Sequence, residues 1–259
     1  MLILRWYKRW ALLPMGVSMP HTQGKPAKGY VAALTGDLVG STCSRGTPPD
    51  SDLLWRVGLL KDALRVTERD FLPRTVSSFE IFRGDSFQGI VLPKDALRAV
   101  IVIRTFLRSR GPMEAPSSVL DARVAVGIGH VEKLPGGTVS ESDGTALRRS
   151  GPALDEMKGQ DRRTRFSTPW PQVDAELNTE CMLLDAVIAR WSKAQAEAVL
   201  IRLLLGRTQK EAGETLGVSQ PAIAQRLRAA NVDVLETLFA RYETLISRAI
   251  RRMPSNDSL

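Results

Sequence analysis

The sequence predicts an α+β protein: a small sheet built from interleaved β-α-β units, followed by a segment made of helices alone. Three observations carry that expectation. Between residues 30 and 168, apolar runs with strand spacing alternate with amphipathic helical ones. Gly84-Asp85 separates two apolar runs in FEIFRGDSFQGIV (79–91), as the reversal of a hairpin does. After Pro169-Trp170-Pro171 the spacing becomes helical throughout, with helix-start and helix-stop residues recurring.

Taken in order, YVAALTGDLVGS (30–41) predicts a buried strand that ends in a loop of small residues. Asp50 or Ser51 then caps a helix whose Leu53, Val57, Leu60 and Leu64 share a face. The hairpin around Gly84-Asp85 follows. In KDALRAVIVIRTFLRS (94–109), Ala96, Val100, Ile103 and Leu107 form the stripe of a helix packed on a sheet. LDARVAVGIGHVE (120–132) alternates as a strand, and its Gly127 and Gly129 allow something to approach the backbone closely. A loop, LPGGTVSESDG, leads to a third helix near 144–158, and TRFST (164–168) is a last short strand.

The order β-α-β-β-α-β-α-β contains two split β-α-β units, which predicts a ferredoxin-like sheet with helices on one face. That topology sets the first strand beside the central hairpin, so Asp37 lies near Asp85. Paired acids there suit Mg²⁺ or Mn²⁺, which take hard oxygen ligands from one or two carboxylates plus a phosphate. The loop GSTCSRG (40–46), with Gly40, Ser41 and Thr42, offers backbone N–H groups to that phosphate. The alternative is turn chemistry alone, with Asp85 reversing the hairpin and Asp37 ending its strand.

The C-terminal part opens with the helix VDAELNTECMLLDAVIARW (173–191). Ser192 with Gln195, and Thr208 with Glu211, form capping boxes; Gly217 stops the second helix, and Ser219 with Pro221 starts the next. A short helix, a glycine turn and a second helix is the helix-turn-helix layout. Ile223 and Leu227 anchor the second helix, which leaves Gln220, Ala222, Gln225 and Arg226 facing outward. Gln and Arg fit the major-groove edges of adenine and guanine. Arg207, Lys210 and Arg228 are placed for phosphates, with Thr208 and Ser219 at the same surface. Leu235, Leu238, Tyr242, Leu245 and Ala249 step at helical spacing, as a homodimer seam or as packing onto the same chain.

Charge agrees with an anionic partner. The 259 residues carry a formal net charge of +8. Residues 190–252 contribute 11 Lys or Arg against 6 Asp or Glu, and residues 1–29 contribute five basic residues and no acid. Cys43 and Cys181 are too few for a disulfide framework, and His21 and His130 too few for a histidine metal site. No apolar run reaches the roughly 20 residues of a membrane helix, so the chain is expected to be cytoplasmic. The expected division is a disordered basic extension (1–28, with Met15 and Met19 as later starts), an α+β domain (29–170), a helical domain (171–253) and a disordered tail (254–259).

Residues 192–228, containing SKAQAEAVLIRLLLGRTQKEAGETLGVSQPAIAQRL, resemble the helix-turn-helix of sigma-factor region 4 and related bacterial regulators. GDLVGST (36–42), RGDSFQGIV (83–91) and ARVAVGIGHVE (122–132) resemble three successive blocks of class III nucleotidyl cyclases and the palm of GGDEF-type enzymes. That resemblance implies that Asp37 and Asp85 hold metal ions organising a nucleoside triphosphate. With SDGTALRRSGPALDEMK and the C-terminal helices, the chain from about residue 30 to 250 most resembles the bacterial SatD family. It departs from the cyclases where their supporting Asn and Arg stand: counted from Gly144, those places hold Arg148 and Pro152. Arg148, Arg149, Arg162 or Arg163 would then be the substitute phosphate ligands, with Arg148 and Arg163 taken first. The expected function is a DNA-binding transcriptional regulator whose cyclase-like domain binds a nucleotide-type ligand with a divalent metal. The alternative is an active nucleotidyl cyclase or nucleotidyltransferase targeted by its helix-turn-helix; a third reading is a palm serving only as a dimerisation scaffold.

Overall fold

The computed structural model describes residues 29–39, 50–71, 75–82, 84–110, 119–131 and 143–252. The expected extension at 1–28, the tail at 254–259 and the loop residues Gly40, Ser41 and Thr42 lie outside them. Among the described residues, five strands form one sheet: β1 (Tyr30–Val39), β2 (Thr75–Phe82), β3 (Ser86–Val91), β4 (Asp121–His130) and β5 (Thr164–Ser167). Their order is β2-β3-β1-β4-β5. The first four strands are antiparallel to their neighbours, and β5 adds to the edge parallel to β4. This is the interleaved order of two split β-α-β units.

Eight α-helices are present among the described residues: α1 (Asp50–Val66), α2 (Ala96–Arg110), α3 (Thr145–Met157), α4 (Pro171–Ala189), α5 (Lys193–Leu205), α6 (Gln209–Leu216), α7 (Gln220–Ala229) and α8 (Val232–Arg252). The helices do not share one face of the sheet, contrary to expectation. Ala32, Leu34, Val124 and Val126 point into the large core with α1, α2 and the C-terminal helices, while Val31, Ala33 and Ala125 point the other way, against α3. The reason lies in Gly127 and Gly129. A Cβ on Gly127 would stand 2.1 Å from the Ala146 carbonyl oxygen, and one on Gly129 would stand 2.5 Å from Thr145 Oγ1. The close approach that these glycines permit is that of α3, and it gives the sheet a second cover.

β1 is central and buried along nearly its whole length, with apolar residues on both faces. α2 shows more than the expected stripe: every residue from Ala96 to Ser109 except Arg98 is buried. The sheet covers one side and α5 packs on another, so the helix is apolar nearly all round. α1 shows less, since Leu60 and Leu64 are buried but Leu53 is exposed.

The change of pattern at residue 170 does not divide the core. One apolar cluster contains Leu34 and Val126 of the sheet, Leu97 of α2, Ile188 of α4, Ile223 of α7 and Tyr242 of α8. The α8 seam belongs to this cluster: Leu235, Phe239, Tyr242, Ile246 and Ile250 are buried, with Leu238, Leu245 and Ala249 packed beside them. Tyr242 Oη donates a 2.6 Å hydrogen bond to the Pro93 carbonyl, tying α8 to the turn before α2. No helix among the described residues is long and apolar enough to cross a membrane.

Candidate functional site

Because β1 lies between β3 and β4, Asp37 near its end has a neighbour on each side: Ser86 in register on β3 and Arg123 on β4. Asp85 immediately precedes Ser86 in the hairpin turn, where Gly84 takes the left-handed φ of +78°. The fold thus brings both expected carboxylates to the same end of the sheet, Asp37 near the end of β1 and Asp85 in the turn before the neighbouring β3.

Their surroundings differ. Asp85 is half-buried in the turn, whereas Asp37 is buried. Arg123 Nε donates to Asp37 Oδ1 and Arg123 Nη2 to Oδ2, each at 2.9 Å. A guanidinium fork on a carboxylate is the strong, directional form of an ion pair. It also leaves Asp37 neutralised, where a divalent ion would need its oxygens free. Among the described residues, no group of three His, Cys, Asp or Glu is arranged to hold a metal ion. As folded, Arg123 occupies both oxygens of Asp37, and a cation shared with Asp85 would have to displace it. In the sequence Arg123 was only one of the residues alternating with the apolar side of its strand.

The two arginines expected at a phosphate are separated. Arg163 stays at the Asp37 end, where its carbonyl accepts from Val124 N and its Nη2 lies 3.1 Å from Asp161. Arg148 sits in the first turn of α3, which begins beside His130 at the far end of β4, and it pairs with Asp143 at 2.7 Å.

A second cluster joins residues that lie far apart in the sequence. Arg104 of α2 is fully buried, with Nε and Nη2 donating to the two Asp121 oxygens at 3.0 and 3.1 Å. Its Nη1 donates to Thr164 Oγ1 at 2.9 Å and to Asp185 of α4 at 2.5 Å. Asp185 also accepts from the main-chain N–H groups of Arg163 and Thr164. One turn on, Arg108 Nη1 reaches Asp121 at 3.3 Å, while Nη2 donates to the carbonyls of Ala189 (2.8 Å) and Trp191 (3.2 Å), closing the end of α4. Burial alone would lift the Asp121 carboxyl; attraction and hydrogen bonding from Arg104, with help from Arg108, outweigh it and hold Asp121 below the usual carboxylate range. The available signal was charge in the wrong place: Arg104 and Arg108 one turn apart in an apolar helix, and Asp185 in another.

This cluster forms part of the wall of a cavity of about 410 Å³ between the end of β1, the start of β4, α2, α4 and the turn at 160–163. Arg162 and Arg163 also line it.

The third candidate is the helix pair α6–α7. Both predicted capping boxes form: Ser192 with Gln195, and Thr208 with Glu211. Gly217 takes φ +69° after α6, and Ser219 Oγ accepts from Ala222 N to start α7. Inside the pair, Ile223 and Leu227 are buried, and a Cβ on Gly213 would stand 2.6 Å from the Val218 carbonyl oxygen. Outside it, Thr208, Lys210, Ser219, Gln220, Gln225 and Arg228 are exposed, while Arg226 is half-buried near Glu197 of α5. Arg207 pairs with Glu211 at 3.4 Å; Lys210 and Arg228 form no ion pair among the described residues.

No protein-family model matches the chain, and no curated protein is significantly similar to it. Among solved structures, it is similar to the active GGEEF domain of a diguanylate cyclase from Vibrio cholerae, at 14% identity over 54% of this chain and 83% of that one, with a TM-score of 0.36. It is also similar to a bacterial light-regulated adenylyl cyclase, at 13% identity over 53% of this chain and 43% of that one, with a TM-score of 0.37.

Proposed function

We propose that the chain is a DNA-binding regulator of the SatD type, in which α6 and α7 form a helix-turn-helix and the sheet-bearing part senses a small anionic ligand. The observation that supports it best is the surface of α7: a helix capped by Ser219, anchored by Ile223 and Leu227, that turns Gln220, Gln225 and Arg228 outward. Gln220 and Gln225 are placed for base edges, and Lys210 and Arg228 for phosphates. Arg226, half-buried, serves as an edge contact rather than the centre of the reading face. Thr208 and Ser219 hold the helix starts, where N–H groups and the positive end of the helix favour a phosphate. A divalent cation has no part in this reading while Arg123 holds Asp37.

The test is selection of bound sequences from a random duplex pool, followed by titrations at several salt concentrations. Gln225→Ala is expected to relax preference at one base position. Arg228→Ala is expected to weaken all sequences alike and to reduce the salt slope by about one. Equal binding by parent and both variants would remove the assignment.

A nucleotidyl cyclase or nucleotidyltransferase is the second reading, favoured by the placement of Asp37 and Asp85 at one end of the sheet. It requires Arg123 to leave Asp37. Incubation with labelled ATP, GTP, CTP and UTP and either Mg²⁺ or Mn²⁺ decides it: product that disappears in Asp85→Asn establishes an enzyme.

A further inference from the structure

We propose that the cavity walled by Arg108, Arg162 and Arg163 is an effector site for a small phosphate-bearing anion, and that Arg108 relays its occupancy through Trp191 to the end of α7. The site deepens the ligand-sensing part of the function proposed above, and its DNA readout rests on that reading. Its volume of about 410 Å³ falls in the range of small-molecule sites, ~300–1,000 Å³.

The arginines have different tasks. Arg104 is saturated by Asp121, Asp185 and Thr164 and acts as scaffold. Arg108 is not saturated. Its side chain is 7% exposed, and its Nε has no hydrogen-bond partner. That N–H is shielded even from the cavity that Arg108 lines, so an anion there acts on the Arg108 guanidinium through its charge and not by contact with Nε. Arg162 forms no ion pair among the described residues, and Arg163 leans on Asp161, whose side chain is 97% exposed and readily exchanged for a better anion. Asp121 and Asp185 are already neutralised by Arg104 and Arg108. Among the described residues, the remaining charge on the wall is that of Arg162 and Arg163 against exposed Asp161, a surplus of one cation. Planar guanidinium groups with donors in a fixed fork suit a phosphate better than a single carboxylate.

Occupancy has a short route to the helix pair. The Arg108 Nη2 atom donates to Trp191 O at 3.2 Å, and the Trp191 indole N–H donates to Ala230 O at 3.0 Å. Ala230 is the C-cap of α7. An anion that draws on the Arg108 guanidinium by charge thus acts two hydrogen bonds away from the end of that helix.

The full chain is titrated with pyrophosphate, inorganic phosphate and citrate, each at matched ionic strength, following melting temperature and heat of binding. Pyrophosphate is expected to protect saturably and more strongly than citrate. The paired change Arg162→Gln and Arg163→Gln, at half-buried positions whose side chains lie outside the Arg104 network, is expected to weaken it by about tenfold. Protection that merely follows ionic strength, or that persists in the double variant, overturns the site. In DNA titrations pyrophosphate is expected to shift the affinity of the parent but not of Trp191→Phe, which keeps a smaller aromatic ring and loses the N–H. Pyrophosphate binding with unchanged DNA affinity overturns the relay and leaves the site standing. Absence of any DNA binding instead overturns the proposed function, and the pyrophosphate titration still decides the site.

Discussion

Arg123 holds Asp37 by both carboxylate oxygens, at 2.9 Å each, across the β4–β1 register. A guanidinium therefore stands where a cyclase-like reading of the sequence puts a metal ion. The parent protein is expected to melt at the same temperature with and without millimolar Mn²⁺. Arg123→Gln removes the charge from a pair whose side chains are only 21% and 13% exposed, which costs about 2 kcal/mol and lowers the melting temperature by about 5 °C. In that variant Asp37 and Asp85 are open to a cation, and Mn²⁺ should restore part of the loss. Parent melts that rise with Mn²⁺ would show that Arg123 yields its place, and would revive the metal-bound reading.

Arg104 carries the next prediction. Arg104→Met leaves Asp121 and Asp185 buried beside the smaller cationic contribution of Arg108, and about 3–5 kcal/mol is lost. The pH dependence follows from Asp121, whose folded value is depressed. A depressed carboxylate contributes stability that is present above its unfolded value, about 3.9, and lost as pH falls through the folded value below it. In Arg104→Met burial dominates instead, the carboxyl rises, and protonation relieves the variant as pH falls. Denaturant midpoints should therefore lie furthest apart near pH 7 and draw closer toward pH 4.5. A deficit of constant size would show that Asp121 is not governed by Arg104.

Two glycines on either side of one contact make a paired test. Gly127→Ala forces a methyl group to 2.1 Å from the Ala146 carbonyl oxygen and 2.6 Å from Ser150 N, both of them backbone. Neither can move without lifting α3, so a loss of about 3 kcal/mol is expected. Gly151, inside α3, has nothing within 4 Å of a built Cβ. Gly151→Ala should change stability by less than about 0.5 kcal/mol, because the gain in helix propensity is opposed by the cost of a Cβ on the helical residue before Pro152. Chemical denaturation of both variants checks the pair, and an unchanged Gly127→Ala would mean that α3 does not seat there.

The same contrast explains what could be read from the sequence. Local chemistry was legible: Ser192, Thr208, Gly217 and Ser219 act on residues within a turn of themselves, and their caps form as spacing predicts. Strand order was legible because the hairpin and the alternating elements restrict the topologies available. Pairings across distant segments were not. Arg123 meets Asp37 across 86 residues, and Arg104 meets Asp185 across 81. Nothing in the spacing of either arginine marks its partner. Gly127 and Gly129 did announce a close approach, but a ligand and a helix produce the same signal.

Continuity of the core gives the last prediction. α2 is buried from Ala96 to Ser109 apart from Arg98, and that cover depends on α5 as well as on the sheet. A fragment ending at residue 170 would expose one side of α2 and leave Arg104 and Arg108 without Asp185, Ala189 and Trp191. It is expected to bind hydrophobic dyes and to melt without a cooperative transition, whereas the full chain should unfold in one step. Tyr242→Phe tests the same junction gently. It removes the 2.6 Å hydrogen bond to the Pro93 carbonyl while keeping the ring in the core. The stranded acceptor costs about 1–2 kcal/mol, so the single transition should shift down by about 3–6 °C. Two separate transitions, or a fragment that melts sharply by itself, would mean that the sheet and the C-terminal helices are independent units.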